Sequence, residues 1–495
     1  MSTETRMYLM LVMPLLATAL TVLFGRRPNL REACQLVVGA GLFAIACSLA
    51  PRVFAGDRPA CRLWEFIPGF ELGLELEPLG MLFAMVASGL WVVTTVYAMG
   101  YMRAHHEQHQ TRFFACFGIA IFAAMGAALA SNLLTLFIFY EIMTFSTYPL
   151  VGHHENEAAR RGARTYLSIL VTTSVGLLLM AIAWTWHVAG DLRFIDGGLL
   201  RTAVNEGRLT TTQLSFLLAL FVLGTGKAAL MPVHRWLPAA MVAPTPVSAL
   251  LHAVAVVKVG VFTVLKIVIY VFSADLLRET GVSVWLMYLA GASVLIASLV
   301  AMWQDNLKRR LAYSTVSQLS YITLGAALAQ PASLIGASMH IAMHAMGKIT
   351  LFFCAGAIYV ATHKTDISQM RGLGRKMPFT MLAFLLGSLS IIGLPPFGGM
   401  WSKWFLALGA AEAHELVFIG VLMISSLFNI VYLLPIPIAG FYRSPEEPDE
   451  GPSLQEAPLL CVVPPCVTAL GGVFLFFIAD KLYHALAPLG GVGNL

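Results

Sequence analysis

Residues 224–260 read GTGKAALMPVHRWLPAAMVAPTPVSALLHAVAVVKVG: apolar over most of their length, interrupted by Pro232, Pro238, Pro244 and Pro246, and charged at Lys227, Arg235 and Lys258. Proline removes a backbone donor and breaks the helical ladder. Lipid offers no replacement hydrogen bond, so such a break is tolerated only where protein or water takes over the freed groups, beside a cavity or an ion path. A second broken stretch follows at residues 390–409, SIIGLPPFGGMWSKWFLALG, with Pro395 and Pro396 between Gly393 and the pair Gly398, Gly399. Paired interruptions in corresponding positions of two halves are the mark of internal repeats in transporters.

The rest of the chain carries the same signature. Of its 495 residues, 58% are hydrophobic and only 12% are charged, against about 25% charged in an ordinary soluble protein. Lipid is the solvent such a chain needs. One helical crossing takes roughly 20 apolar residues, and about fourteen stretches near that length follow one another between short polar links. They start with residues 7–25 and 32–50, pass through 132–152, 164–187, 213–231 and 242–271, and finish with 377–408, 415–441 and 457–479. The predicted fold is an all-α integral membrane protein. It divides into N-terminal helices at 1–110, a first repeat (helices 4–8) at 111–272, a second repeat (helices 9–13) at 282–441, and a C-terminal helix and tail at 457–495. The links near 51–76 and 188–212 are too short for a soluble domain. The first segment, flanked by MSTETR and FGRRPNLR with no small-residue cleavage site, reads as a retained helix.

The net charge of +5 lies in membrane-flanking links. It forms no single solvated basic face, so nucleic acid is not an expected partner. Alternate links differ in charge. One set holds Arg26, Arg27 and Arg31, then Arg160, Arg161 and Arg164, Lys308, Arg309 and Arg310, and Arg371, Arg375 and Lys376, whereas Arg52, Arg58, Arg193, Arg201 and Arg278 are scattered over the other. The positive-inside rule then predicts a multi-pass protein of the plasma (inner) membrane with both termini on the outer side, as an even number of crossings requires. Asp305 and its basic neighbours at 308–310 read as topological markers, and SPEEPDEGP at 444–452 as an acidic link without a function of its own.

Cys34, Cys47, Cys116, Cys354, Cys461 and Cys466 fall within apolar segments and read as small core residues. There is no CxxC cluster, dinucleotide fingerprint or haem ligand pair, so no cofactor and no redox or hydrolytic site is expected in this chain. His105, His106, His109, His153 and His154 lie in Arg-containing links without a carboxylate at ligand spacing. They read as solvated surface and not as a metal site.

The ionisable residues inside apolar segments are harder to dismiss. Glu141 sits in SNLLTLFIFYEIMTFSTYPLVGH, Lys227 just before the first break, His252 and Lys258 in the next helix, His340, His344 and Lys348 in a third, and Lys403 just after the second break. Each costs about 2.5–3.5 kcal/mol or more at mid-membrane. A single one can snorkel, cap or brace, but the whole set asks for a function. His340, His344 and Lys348 are spaced by four and share one helical face. Neutral imidazole both donates and accepts, and its ordinary pKa lies near working pH. A desolvated lysine gives up its proton readily, and a nearby carboxylate lets it keep the proton. Glu141 and Lys227 are the candidates for such a switch. Lys266, near a helix end, reads as a snorkelling residue.

At these residues the chain resembles the large antiporter-like subunits shared by Mrp-type cation/proton antiporters and respiratory complex I. The likeness runs through FIFYEIMTFSTYPLVGH, the broken stretch quoted first, DNLKRRLAYSTVSQLSY, HIAMHAMGKITLFFCAG and GLPPFGGMWSKW. It implies fourteen helices with two inverted five-helix repeats and a hydrophilic axis at mid-membrane. On that likeness Glu141 matches the glutamate of the family's fifth helix, Lys227 the lysine of its first broken helix, and His252 the linking histidine of its eighth. His340, His344 and Lys348 match the group on its eleventh helix, and Lys403 the terminal charge of the second broken helix. The third helix departs from the family's usual Asp-Gly, reading LELEPLG with Glu77 and Pro78, so no role is expected for Glu77. Lys403 stands where one complex I paralogue has glutamate.

The phrase around Glu141 is most similar to the MrpD-type member of the Mrp antiporters. The leading expectation is a proton-translocating subunit of a multisubunit Na+/H+ antiporter, with protons, Na+, lipid and other membrane subunits as its partners. The alternatives are a proton-pumping subunit of a complex I-like NADH:quinone oxidoreductase or membrane-bound hydrogenase, or a proton-coupled subunit of an inorganic-carbon uptake complex.

Overall fold

The computed structural model describes residues 2–67, 70–444 and 454–490. Helix starts are written into the sequence. Pro28, Pro78, Pro331 and Pro378 occupy first-turn positions where their missing N–H costs nothing, and Asn132, Asn156, Thr210 and Asn306 accept a hydrogen bond from the first turn of the helix each precedes. The helices that follow are α1 (Thr3–Leu23), α2 (Pro28–Phe54), α3 (Pro78–Ala104), α4 (Gln110–Ala128), α5 (Leu133–Val151), α6 (Glu157–Ala189) and α7 (Thr211–Gly224). Beyond the first break come α8 (Thr245–Phe272), α9 (Val284–Met302), α10 (Leu307–Leu328) and α11 (Pro331–Thr362). The second broken helix supplies α12 (Pro378–Ile392) and α13 (Gly399–Glu412), and α14 (Val417–Tyr442) and α15 (Leu459–Phe477) complete the set.

Among the described residues, eleven helices are long and apolar enough to cross a membrane. The all-α membrane fold expected from the sequence is therefore present. The other expected crossings fall on α7 and α12, which are apolar but shorter, and on α10, which opens with Lys308, Arg309 and Arg310. One feature departs from the reading of residues 51–76 as a plain link. Cys61 to Phe66 and Phe70 to Glu75 pair as an antiparallel hairpin, β1 (Ala60–Ile67) and β2 (Phe70–Glu75), with Ala60 opposite Glu75. Alternating large apolar and polar residues suit a pleated ribbon, and Leu74 extends the pairing by bridging to Ala130 at the end of α4. Of the acidic link, residues 445–452 lie outside the described residues.

Burial ranks the helices. The apolar core of α8 is 100% buried, that of α11 94% and that of α3 72%, whereas α1, α6 and α14 each bury only 33%. Each of this central pair, α8 and α11, also buries three Lys or His side chains: His252, Lys258 and Lys266 on α8, and His340, His344 and Lys348 on α11. Apolar outward faces on α14 and α15, with Leu427, Val431, Leu470 and Phe474 exposed, need lipid or a neighbouring protein to cover them.

Alternate links gather at opposite ends of the bundle. At one end His153 lies 3.7 Å from Glu107, Arg112 pairs with Glu155, and Lys308 donates to the Ala243 carbonyl at 2.5 Å. At the other, Arg58 meets Asp196 at 2.9 Å and Arg201 meets Glu279 at 2.9 Å. Two expectations need correction at the basic end. His153 is only 3% exposed, because it folds under the α4 N-terminus against Phe113; burial, with Arg112 beside it, lowers its pKa to about 4 and leaves it neutral. Arg310 is more than a topological marker, since it donates to the Tyr432 carbonyl at 3.0 Å and ties α10 to α14.

Candidate functional site

The first break begins where α7 ends at Gly224, and Gly226–Ala228 makes one tight turn. That turn buries Lys227 completely. Its position rests on a close approach by α8: a Cβ on Gly260 would run into the Ala228 nitrogen and the Lys227 carbonyl carbon. Trp236, beyond the break, donates from its indole nitrogen to the Gly226 carbonyl at 2.9 Å and satisfies one freed backbone group. We expect Gly260→Ala to push the Lys227 turn away from α8. Overpacking of this kind costs about 1–3 kcal/mol, so the melting temperature of the purified assembly should fall; an unchanged melting temperature together with unchanged transport would contradict the close approach.

The Lys227 ammonium donates to the Tyr140 carbonyl and to the Thr144 hydroxyl, both at 2.6 Å, and sits 3.2 Å from the centre of the Tyr140 ring. The Lys227 backbone N–H donates to the Tyr140 hydroxyl at 3.0 Å. Glu141, the next residue on α5, is not among its contacts. Both Glu141 carboxylate oxygens are buried without a hydrogen-bond partner. The two members of the expected switch therefore sit on adjoining elements, close enough for their charges to interact but with no hydrogen bond or ion pair between them.

The second group is contiguous. Lys258 on α8 is hydrogen bonded to Nδ1 of His344 on α11. One turn earlier on α11, the His340 ring lies 5.7 Å from that of His344, and its Nδ1 is 2.8 Å from the Ser402 hydroxyl of α13. Lys403, the next residue, donates to the Ile391 and Ile392 carbonyls that the second break leaves free, at 2.9 Å each, and to the Ser426 hydroxyl at 3.1 Å. Its ammonium also lies 5.1 Å from the centre of the Tyr321 ring, which stacks on His340. Lys258, His344, His340, Ser402 and Lys403 thus form one line across three helices.

Lys348 lies on the same face of α11 and turns to α10, donating to Ser314 at 2.6 Å and to the Leu311 carbonyl at 3.3 Å. Ser314 in turn accepts from the Tyr432 hydroxyl at 2.8 Å. His252 occupies a widened turn of α8, Leu250–Val254, fully buried against the Phe352 ring with neither ring nitrogen hydrogen bonded. Wide turns of this type leave backbone groups loosely paired and recur at functional positions. The Nε2 atoms of His340 and His344 and both amide atoms of Gln318 are likewise buried without partners. A line of imidazoles and amines with spare lone pairs and donors is a route along which protons can be handed on.

Comparison with known proteins follows the same outline. Residues 130–429 match the transmembrane family described as NADH:quinone oxidoreductase/Mrp antiporter, and residues 68–114 match complex I chain 5 N-terminus. The chain belongs to this antiporter-like family. It is 32% identical over 450 residues to NADH-quinone oxidoreductase subunit N of Desulforudis audaxviator, covering 88% of each chain. It is 32% identical to a probable K(+)/H(+) antiporter protein of Rhizobium meliloti, covering 86% of this chain but only 43% of that longer one. Among solved structures, a chain of the Mrp complex from Dietzia sp. DQ12-45-1b superposes with a TM-score of 0.86 over 99% of this chain and 97% of that one, at 22% identity. A chain of the archaeal membrane-bound sulfane sulfur reductase superposes with a TM-score of 0.83, at 21% identity, over 98% and 97%. At those identities the likeness concerns the fold alone.

Sequence reasoning missed the neutral members of this antiporter-like site. Tyr140, Thr144, Ser314, Ser402 and Tyr432 are ordinary helix residues by type, and only the tertiary contacts select them. It also misjudged Lys266 and Glu77. Lys266 is 1% exposed and does not snorkel: it lies 3.5 Å from Glu77 and donates to the Ala130 carbonyl at 2.8 Å. α8 ends at Phe272, one residue from the expected 271, so it is the cover of Glu77, Phe194 and Ala130 that keeps Lys266 from solvent.

Proposed function

We propose that this chain is the proton-translocating subunit of a multisubunit Mrp-type monovalent cation (Na+)/H+ antiporter, passing protons along Glu141, Lys227, His252, Lys258, His344, His340, Lys348 and Lys403. The observation that carries this reading is the succession of buried groups between α8, α11 and α13: Lys258 hydrogen bonded to His344, the His340 ring 5.7 Å further on, and His340 hydrogen bonded to Ser402, beside Lys403. Holding several charges at membrane depth is costly, and proton transfer explains why the line is kept. The two interrupted segments frame it from the two repeats, 111–272 and 282–441. The exposed apolar faces of α14 and α15 fit neighbouring membrane subunits and lipid.

The likeness to the quinone oxidoreductase relative favours one other reading, a proton-pumping membrane subunit of a complex I-like NADH:quinone oxidoreductase or a related redox assembly. Purifying the intact complex and following proton movement in inverted vesicles separates the two. For the antiporter, addition of Na+ to vesicles with an imposed pH gradient should dissipate that gradient, and the copurifying proteins should be membrane subunits without redox centres. A gradient that is built only on addition of a reduced electron donor, and is unaffected by Na+, would instead support the redox assembly.

The basic end of the bundle is assigned to the cytoplasm, which puts both termini on the outer side. Reporter fusions at Arg160 and near Gly197 are expected to report the cytoplasmic and outer side respectively. Finding both on one side would overturn the assignment.

A further inference from the structure

Eight residues beyond Lys258 on α8, about 12 Å along the helix at 1.5 Å per residue, lies a second cluster of ionisable groups outside the proton line described above. Lys266 is 1% exposed and Glu77 3% exposed, with their charged atoms 3.5 Å apart. The Glu77 carboxylate also accepts from the Leu79 and Gly80 N–H groups that open α3, at 2.7 and 3.0 Å, and from the Tyr270 hydroxyl at 3.2 Å. The Lys266 ammonium faces the Phe194 ring at 4.2 Å.

That ring is also a wall of a cleft. A hollow of about 740 Å³ opens at the less basic end of the bundle, bounded by Arg58, Glu75, Ser131, Phe194 and Asp196 among others. Arg58 pairs with Asp196 at 2.9 Å and lies 5.8 Å from the centre of the Tyr270 ring. Glu75, the last residue of β2, is two positions before Glu77; it borders the cleft while Glu77 points to Lys266. Burial raises the Glu75 pKa above that of an ordinary carboxylate, against the opposing pull of Lys266 and Arg58. The titratable and charged groups facing the pair are thus Tyr270 from α8, Glu75 and Arg58 from the hairpin side, and Asp196 from the link after α6.

We propose that Glu77, Lys266 and Tyr270, reached through the cleft beside Glu75, Arg58 and Asp196, form a second proton-exchange site connecting the buried line to the outer side. This rests on the reading that the chain moves protons. In the outward step the Lys266 ammonium passes a proton to the Glu77 carboxylate, leaving a neutral amine and a carboxylic acid. The acid loses that proton to solvent in the cleft by way of Glu75, and Lys266 is recharged from the Lys258 side. A pair that served only to pin α3 to α8 would need neither a hollow against its aromatic wall nor a second carboxylate beside it.

The test uses the complete complex in inverted vesicles, with the pH of the lumen, equivalent to the outer side, set separately from that of the bath. The double variant Glu77→Gln/Lys266→Met keeps an acceptor for the α3 cap and the packed lysine stem while removing both charges, a replacement that buried ion pairs often tolerate. We expect the chain to be present at normal levels and proton transport to fall at least about tenfold. Glu75→Gln, which removes the carboxylate on that exit, should slow transport and shift its dependence on lumen pH, with the dependence on bath pH unmoved. Wild-type transport by the double variant, or loss only in proportion to lost protein, would overturn the proposal, as would equal shifts on both sides for Glu75→Gln. Lys258→Met is the control that separates the two levels: if it stops transport while the double variant does not, the outer site falls and the function stands. If the wild-type complex moves no protons, the function itself falls.

Discussion

Lys258→Met is expected to reduce proton transport by the assembled complex at least about tenfold while leaving the amount of the chain near normal. Methionine fills the volume of the lysine stem, so the cost to packing is small. What is lost is the α8 group that contacts Nδ1 of His344. His252, on the same helix, has no hydrogen bond of its own to take over the connection. Lys258→Arg sharpens the test. Arginine keeps the positive charge and can still donate to His344, but it holds its proton at any working pH. A brace would survive that change; a group that must give up and regain a proton would not. We therefore expect Lys258→Arg to transport as poorly as Lys258→Met, measured as dye-reported pH change in vesicles at matched protein levels. Near wild-type transport by the arginine variant would remove Lys258 from the route.

The second large effect is expected at Glu141 and Lys227. The ammonium rests on the Tyr140 carbonyl and Thr144 hydroxyl, while the carboxylate oxygens of Glu141 lack partners. In the switch we propose, this is the disengaged arrangement, and the engaged one brings the carboxylate to the lysine. A buried carboxylate without a partner is costly, and that cost supplies the drive for engagement when the lysine is protonated. Glu141→Ala and Lys227→Ala should each lower transport by about tenfold or more. The double variant should be no worse than the worse single one, because two groups that act as one unit lose their function once. Losses that multiply in the double variant would show two independent contributions. Near-normal transport in both single variants, at normal protein levels, would defeat the mechanism. Thr144→Val adds a milder probe: it removes one of the two acceptors holding Lys227 and should alter transport without abolishing it.

Much of this protein was legible in one dimension because lipid imposes its rules locally. A crossing needs a run of apolar residues, and each run is visible as such. A proline inside one announces a break, and a charge inside one announces a cost that something must offset. By that logic alone the sequence determined the all-α membrane fold, the two interruptions, the alternation of basic links and most of the buried ionisable residues, though not Lys266, Glu77 or His153.

Which of those residues meet was decided only by the tertiary structure. Helical periodicity put His340, His344 and Lys348 on one face, yet His344 meets Lys258 of α8, His340 meets Ser402 of α13, and Lys348 turns away to Ser314 of α10. Glu141 and Lys227 adjoin in the fold without touching. Lys266 read as a snorkelling residue because its distance from solvent depends on what covers it, and the cover comes from Glu77, Phe194 and Ala130, remote in the chain. Hydrophobicity is a property of a segment, so sequence can specify it. The partner of a buried charge is set by helices crossing at chosen depths and rotations, and only the packed bundle determines it.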